Sequence, residues 1–217
     1  MRAILPLLHQ SLAESPAQKP EARPTQEEMC PLAPPLPREL LLIRHAPALN
    51  EGRLAGRRDV PADVGDVAGL RLVLGPVDAV IASPALRCRQ TAAALWPDTR
   101  ATLDPRLWEQ DFGAWEGIPF ADMPDLGAMS GEDLARHTPP GGESFADVCA
   151  RVRPALIEIA TMHPRSAIVA HAGTIRAALA MALGSVAPAL AFGIDPLSIT
   201  RLILAGDQWA IGGVNQR

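Results

Sequence analysis

From Glu39 onward the chain alternates short apolar runs with longer stretches of helical periodicity. Leu40–Ile43, Val77–Ala82 and Ser166–Ala170 are short, mostly apolar and followed by polar residues. Runs of this kind suit strands buried on both faces. Ile199–Ala205 and Trp209–Val214 flank Gly206-Asp207, which predicts a hairpin. Between these runs lie helical patterns. Pro84–Leu95 has Ser83 as its expected N-cap and Pro84 at the first helical position. Ser144–Met162 opens with Ser144 and Asp147 at capping-box spacing, and Phe145, Val148, Val152, Leu156 and Ile159 fall on one face. Ala177–Ile194 is uncharged but alanine-rich and broken by Gly184, Ser185 and Pro188. A membrane span wants a richer run of about 20 residues, so this segment reads as two buried helical pieces joined by a turn. Strand, helix and strand in repeated succession predict an α/β layer fold with a largely parallel sheet. No internal repeat is visible.

The first 38 residues break this pattern. They hold eight of the 22 prolines, including Pro34-Pro35. Prolines this dense block both helix and ladder, so residues 1–38 are expected to form a disordered tail and 39–217 the folded domain. The apolar stretch Ala3–Leu8 is short and interrupted by Pro6, unlike a signal peptide. Met29 is an alternative start. The net charge of -4 gives no reason to expect a nucleic-acid partner. Cys30, Cys88 and Cys149 form no CxxC pair, so neither a disulfide framework nor a zinc site is expected, in keeping with the reducing cytoplasm.

The polar residues gather where the predicted strands end. The first strand ends in Arg44-His45, the second in Ser83-Pro84 with Arg87 just beyond, the third in His171-Ala172-Gly173-Thr174 with Arg176 beyond. Ligands bind outside the carboxyl ends of strands in open α/β sheets. Helical side chains lean toward the helix N-terminus, so Arg87 should reach back to that edge. Free N–H groups at the helix N-termini should assist an anion there. The expected site is a positive pocket with two imidazoles, sized for one phosphate. A neutral imidazole is a competent nucleophile near pH 7. Arginines suit the equatorial oxygens, which leaves no task that demands a metal or cofactor. A nearby carboxylic acid can give the leaving alkoxide its proton.

Four blocks carry a family resemblance: Arg44-His45; Ser83-Pro84-Ala85-Leu86-Arg87; Leu107-Trp108-Glu109; and Val169-Ala170-His171-Ala172-Gly173-Thr174. In this order and spacing they resemble the histidine phosphatase (phosphoglycerate mutase-like) superfamily over about residues 40–215. The resemblance implies a three-layer sandwich with helices on both faces of the sheet. It implies His45 as the phosphorylated nucleophile, Arg44, Arg87 and His171 as phosphate ligands, and Glu109 as proton donor, with Asp111 and Glu116 as the nearby alternative acids. Asn50 is carried over as a further substrate ligand. Arg53, Arg57 and Arg58 form a basic cluster after His45; such clusters are mostly solvated faces, and Arg57 is its candidate contact to the substrate's phosphate or ribose. The family continues its Arg-His with Gly, a polar residue and Ser or Thr. Here the chain reads Ala46-Pro47-Ala48, the usual hydroxyl is missing, and a loop two residues shorter displaces Asn50 by one.

The run Phe112–Gly117 with Gly141-Gly142-Glu143-Ser144 downstream resembles the α-ribazole phosphatases of that family. Between Gln110 and Glu143 the only arginine is Arg136, against seven acids, with Phe112, Trp115, Phe120, Met123 and Met129 interspersed. Such a cover suits an apolar leaving group better than a polyanion. A small phosphate ester is therefore the expected partner, with no membrane. A phosphoglycerate mutase or another sugar or nucleotide phosphatase is the alternative within the family. A silent binding module on the same fold is the alternative outside enzymes, against which stands the presence of all five of Arg44, His45, Arg87, Glu109 and His171. Any of these alone would pass for an ordinary structural residue. His9, His137 and His163 have no such context.

Overall fold

The computed structural model describes residues 37–217. Its sheet comprises β1 (Arg38–Arg44), β2 (Ala79–Ala82), β3 (Thr102–Leu103), β4 (Arg165–Ala170), β5 (Ile199–Ala205) and β6 (Gln208–Gln216), in spatial order β3-β2-β4-β1-β5-β6. The first four in that order are parallel, while β5 and β6 form the antiparallel hairpin predicted around Gly206. Five α-helices accompany it among the described residues: α1 (Ala68–Leu74), α2 (Leu86–Leu95), α3 (Gly131–Arg136), α4 (Phe145–Met162) and α5 (Ala172–Leu183).

The run Leu40–Ile43 explains the three layers. Successive strand side chains point to opposite faces. Leu40 and Leu42 enter a core with α4 and α5, whereas Leu41 and Ile43 enter a second core with α1 and α2. All four are buried. Only a strand covered on both faces can hide four consecutive large aliphatics. β4 does the same with Ile168 and Ala170 on one side and Ala167 and Val169 on the other.

The capping box of α4 forms as expected. Ser144 Oγ accepts the Asp147 N–H at 3.1 Å, and the Asp147 carboxylate accepts the Ser144 N–H at 3.0 Å. The five periodic apolar residues are its buried face. The uncharged segment after Ala177 divides as predicted: α5 ends at a left-handed Gly184, and a 3₁₀ turn over Ala187–Ala191 follows. Among the described residues, no helix is long and apolar enough to cross a membrane.

Two expectations need correction. Ser83 does not cap α2, which starts at Leu86 with Ala85 as N-cap and no side-chain cap bond. Ala85 is still extended (φ -55, ψ 137), so the helix opens two residues later than Ser83 and Pro84 imply. Arg38, counted with the expected tail, already stands in β1; residues 1–36 of that tail lie outside the described residues.

Leu42→Ala should cost about 2–5 kcal/mol, the range for deleting a fully buried leucine side chain. Leu72→Ala, at an 84% exposed position of α1, should stay within about 0.5 kcal/mol. Urea midpoints of the two variants against the parent check both.

Candidate active site

β1 and β4 are parallel neighbours, so Arg44-His45 and Ala170-His171 arrive side by side. Backbone bonds carry the ladder past the strand ends. The His45 N–H donates to the Ala170 carbonyl at 2.9 Å, and the Ser83 N–H donates to that of Val169 at 3.0 Å. A cavity of about 290 Å³ opens at this edge. Arg44, His45, Asn50, Arg87, Glu109 and Arg176 supply its polar wall, and Leu54, Phe112 and Phe120 its apolar one.

The tautomer of His45 follows from its partners. Nδ1 lies 2.6 Å from the Ala46 carbonyl, which can only accept, so Nδ1 carries the proton. Nε2 then has a lone pair, and the Arg87 Nε–H donates to it at 3.3 Å. Burial first, then the charges of Arg87 and Arg44, pull the His45 pKa down to about 3. The ring is therefore neutral at physiological pH, with Nε2 unprotonated. The turn behind it is held by buried Thr91. Its Oγ1 accepts the Ala46 N–H at 3.0 Å and donates to the Arg87 carbonyl at 2.7 Å.

Arg87 is almost fully buried, yet all its contacts are neutral. Besides His45 it donates to the Arg58 carbonyl at 3.0 Å, the Gly56 carbonyl at 2.7 Å and His171 Nδ1 at 3.2 Å. Gly56 can serve because it adopts φ +52, and a Cβ there would stand 2.2 Å from Glu116 Oε1. Arg44 donates to the Ile194 carbonyl, and its Nε–H is buried without a partner. Among the described residues no Asp or Glu lies within ion-pairing range of Arg44, Arg87 or Arg176. A buried unpaired cation costs several kcal/mol, and an anion in this cavity would offset that cost. Among the described residues no group of three or more His, Cys, Asp or Glu stands in metal-ligating arrangement.

Glu109 faces this cradle from an irregular segment after the 3₁₀ turn Pro105–Leu107. Its Oε1 accepts the Gln110 N–H at 3.0 Å and the Gly173 N–H at 3.1 Å. Residue 173 must be glycine for so close an approach, since a Cβ there would lie 2.2 Å from Oε1. Thr174 Oγ1 lies 3.2 Å from the carbonyls of Leu107 and Trp108, tying the segment to α5.

The family model of the histidine phosphatase superfamily (branch 1) matches residues 40–217. The chain belongs to that superfamily. A bifunctional protein of Mycobacterium tuberculosis is 37% identical over 163 residues, covering 68% of this chain and 44% of that protein. The chain thus spans under half the length of the first curated relatives it matches. Glucosyl-3-phosphoglycerate phosphatase of M. tuberculosis is 32% identical over 169 residues, covering 67% of this chain and 75% of that one. The solved structure of mycobacterial glucosyl-3-phosphoglycerate phosphatase in complex with VO3 aligns with a TM-score of 0.73 at 27% identity, over 83% of this chain and 100% of that one. An Escherichia coli protein described as a putative alpha-ribazole-5'-P phosphatase shares the fold, with a TM-score of 0.70 at 21% identity over 83% of this chain and 97% of that one.

Within this member of the histidine phosphatase superfamily, not every residue singled out from sequence reaches the cavity. Arg44, His45, Asn50, Arg87 and Glu109 do. His171 is fully buried one layer back, its ring edge-on to His45 with centroids 5.2 Å apart. Its Nδ1 accepts from Arg87, and its Nε2–H donates to Ser83 Oγ at 2.8 Å, which is what Ser83 does instead of capping α2. Asn50 spends its amide N–H on the Arg53 carbonyl at 2.5 Å. The Arg57 side chain turns away toward Glu143, at 3.0 Å, and Asp111, at 3.6 Å. One N–H at the start of each of two helices is already taken: that of Leu86 in α2 donates to Asp59 Oδ1 at 2.5 Å, and that of Gly173 in α5 to Glu109. Arg176 was passed over, although the lean toward the N-terminus that places Arg87 applies equally to it. Thr91 has no signal of its own in the sequence.

Burial and the Arg87 charge also hold His171 well below the ordinary imidazole range. The unfolded chain protonates both rings below about pH 6.5 while the folded one does not. The stabilisation is thus complete above that pH and is lost as pH falls toward 3. Between pH 7.5 and 5 the parent should lose about 2 kcal/mol more stability than His45→Gln, measured by urea unfolding. Equal losses would show that His45 charges normally in the fold.

Proposed function

We propose that this chain is a metal-independent phosphomonoesterase working through a phosphohistidine at His45. The observation that carries the reading is the uncharged His45 Nε2 set among guanidinium groups that no carboxylate pairs. Phosphoryl transfer asks chiefly for positioning and charge stabilisation. An entering phosphate draws the donors of Arg44 and Arg87 to its oxygens, which frees the Nε2 lone pair. Nε2 attacks phosphorus as the P–O ester bond breaks, and the departing oxygen takes a proton from Glu109. Water then attacks the phosphohistidine, the P–N bond breaks, and Glu109 recovers a proton from that water. His171 supports Arg87 from behind, and Asn50 lines the wall with its amide N–H held by the Arg53 carbonyl.

The substrate reading is α-ribazole 5′-phosphate, placing the enzyme in cobalamin nucleotide-loop assembly in the cytoplasm. It is supported by Leu54, Phe112 and Phe120 on the leaving-group side, which suit an aromatic base, and by Arg176, which can donate to ribose hydroxyls. A second reading has its own observation. Arg176 is a third guanidinium in the cavity, so the shortage of cations between Gln110 and Glu143 no longer weighs against esters with a second anionic group, such as phosphoglycerates.

Hydrolysis of p-nitrophenyl phosphate should persist in excess chelator, and His45→Ala should lower kcat by about 10³-fold or more. Quenching the parent during turnover in alkaline detergent should trap a base-stable phosphoprotein that later acid treatment releases as phosphate; metal-dependent activity, or a fully active His45→Ala, would overturn the mechanism. For the substrate, kcat/KM is compared for α-ribazole 5′-phosphate, 3-phosphoglycerate, glucosyl-3-phosphoglycerate and phosphoserine. The first should lead by at least about tenfold, roughly 1.4 kcal/mol of transition-state binding; a lead for a doubly anionic ester selects the second reading.

A further inference from the structure

The proton donor stands on a different piece of chain from the anion cradle, and neither its segment nor the loop that anchors Arg87 is regular. Glu109 lies in an irregular stretch, and Arg87 is anchored by the carbonyls of Gly56 and Arg58 in the loop after the nucleophile. Their spacing must nevertheless hold to a fraction of an ångström for proton transfer. Three charged side chains outside the cavity lining connect the two pieces.

Arg151, on α4, uses all three guanidinium nitrogens. Its Nη1 donates to the carbonyls of Arg106 at 2.6 Å and Trp108 at 3.1 Å, and its Nη2 to that of Glu109 at 3.4 Å. Nε and Nη2 also grip Glu143 in a bidentate fork at 3.0 and 2.9 Å. Glu143 accepts the Asp111 N–H at 3.2 Å, and its own backbone pairs with Asp111 and the Gln110 side chain. Burial opposes ionisation of Glu143, but the bonds from Arg151 and Asp111 prevail and hold its carboxyl below the usual range. Its Oε1, which also accepts from Arg151 Nε, pairs with Arg57, the residue between the two carbonyls that hold Arg87. Glu116 makes a parallel link, with Oε1 accepting the N–H groups of Arg57 at 2.7 Å and Phe112 at 3.2 Å.

We infer that Arg151, Glu143 and Arg57 form a clasp that registers Glu109 against the Arg87 cradle, with Arg151 as the positioning residue for the proton donor. Arg57 acts in this clasp and not on the substrate. The inference rests on Glu109 being the donor. It deepens that reading by separating two tasks: binding the phosphoryl group, which the clasp leaves to Arg44 and Arg87, and protonating the leaving group, which the clasp serves.

Leaving-group chemistry reads this out. An alkyl ester needs its oxygen protonated as it departs, whereas p-nitrophenolate leaves without a proton. The measured quantity is the ratio of kcat/KM for ribose 5-phosphate to that for p-nitrophenyl phosphate, on the full-length chain. Arg151→Gln and Glu143→Gln should each lower this ratio about tenfold, a size in keeping with sub-ångström misplacement. Neither should lower it further in a Glu109→Gln background. Arg151→Lys, which keeps the charge but loses the fork, should recover only part of the ratio. An unchanged ratio, an equal loss on both esters, or full additivity with Glu109→Gln would overturn the clasp. If Arg151→Gln does not fold, Glu143→Gln cuts the same link at a partly exposed residue and decides alone. A Glu109→Gln variant whose ratio matches the parent would instead sink the donor assignment beneath it.

Discussion

The site depends on one interaction: the Arg87 guanidinium buried against two neutral imidazoles and two backbone carbonyls. No carboxylate neutralises it among the described residues, so its charge is left to act on whatever enters the cavity. That arrangement requires both histidines to stay uncharged, and burial together with Arg87 itself sees to this. It also requires carbonyls placed within reach, which is why the loop after the nucleophile turns through Gly56 at positive φ. Arg87, His45 and His171 therefore form one electrostatic unit. Loss of any one leaves the others wrongly charged or unpaired, at a cost of about 1–3 kcal/mol per orphaned group.

The sheet makes the unit possible. Because β1 and β4 are adjacent and parallel, their ends bring His45 and His171 within one ring contact. The burial of both faces of these strands fixes their register, since a slip by one residue would exchange the two cores. The hydrophobic pattern of Leu40–Ile43 thus sets the position of a polar atom two residues beyond it. The opposite side of the cavity has no such scaffold. Glu109, Phe112 and Phe120 come from 3₁₀ turns and irregular chain, held by side-chain bonds from Arg151, Glu143, Glu116 and Thr174.

This difference explains what the sequence disclosed. The central strands, α4 with its capping box, the hairpin and the histidine and arginine positions were readable because each is a local pattern on a regular element. β3, α1 and α3 were not, being two, seven and six residues long. Ser83 was misjudged because its hydroxyl satisfies His171, a partner 88 residues away that local cap chemistry cannot foresee. Arg57 is engaged elsewhere for a similar reason. A cluster of arginines near a nucleophile suggests an anion ligand, but Glu143, far along the chain, claims that side chain first. The same ignorance of distant partners hid Thr91, whose hydroxyl bonds the Ala46 N–H in the loop where the family's own hydroxyl is missing.

The division between the two walls has a chemical consequence. The wall of Arg44, His45 and Arg87 is built from residues on core-anchored elements. The opposite wall is built from loops that, beyond buried Leu107 and the Trp108 ring stacked on His171, are held by polar contacts, each worth about 0.5–1.5 kcal/mol net for neutral groups and up to about 3 kcal/mol for charged ones. Under the proposed mechanism, changing Leu54, Phe112 or Phe120 reshapes the pocket for the alcohol without altering the charges around Arg87. Changing the link between Glu143 and Arg151 does not leave protonation intact, because the segment that carries the proposed donor is bonded to it. On that reading specificity is separable from phosphoryl transfer, whereas protonation of the leaving group is not separable from the loops that hold Glu109 in place.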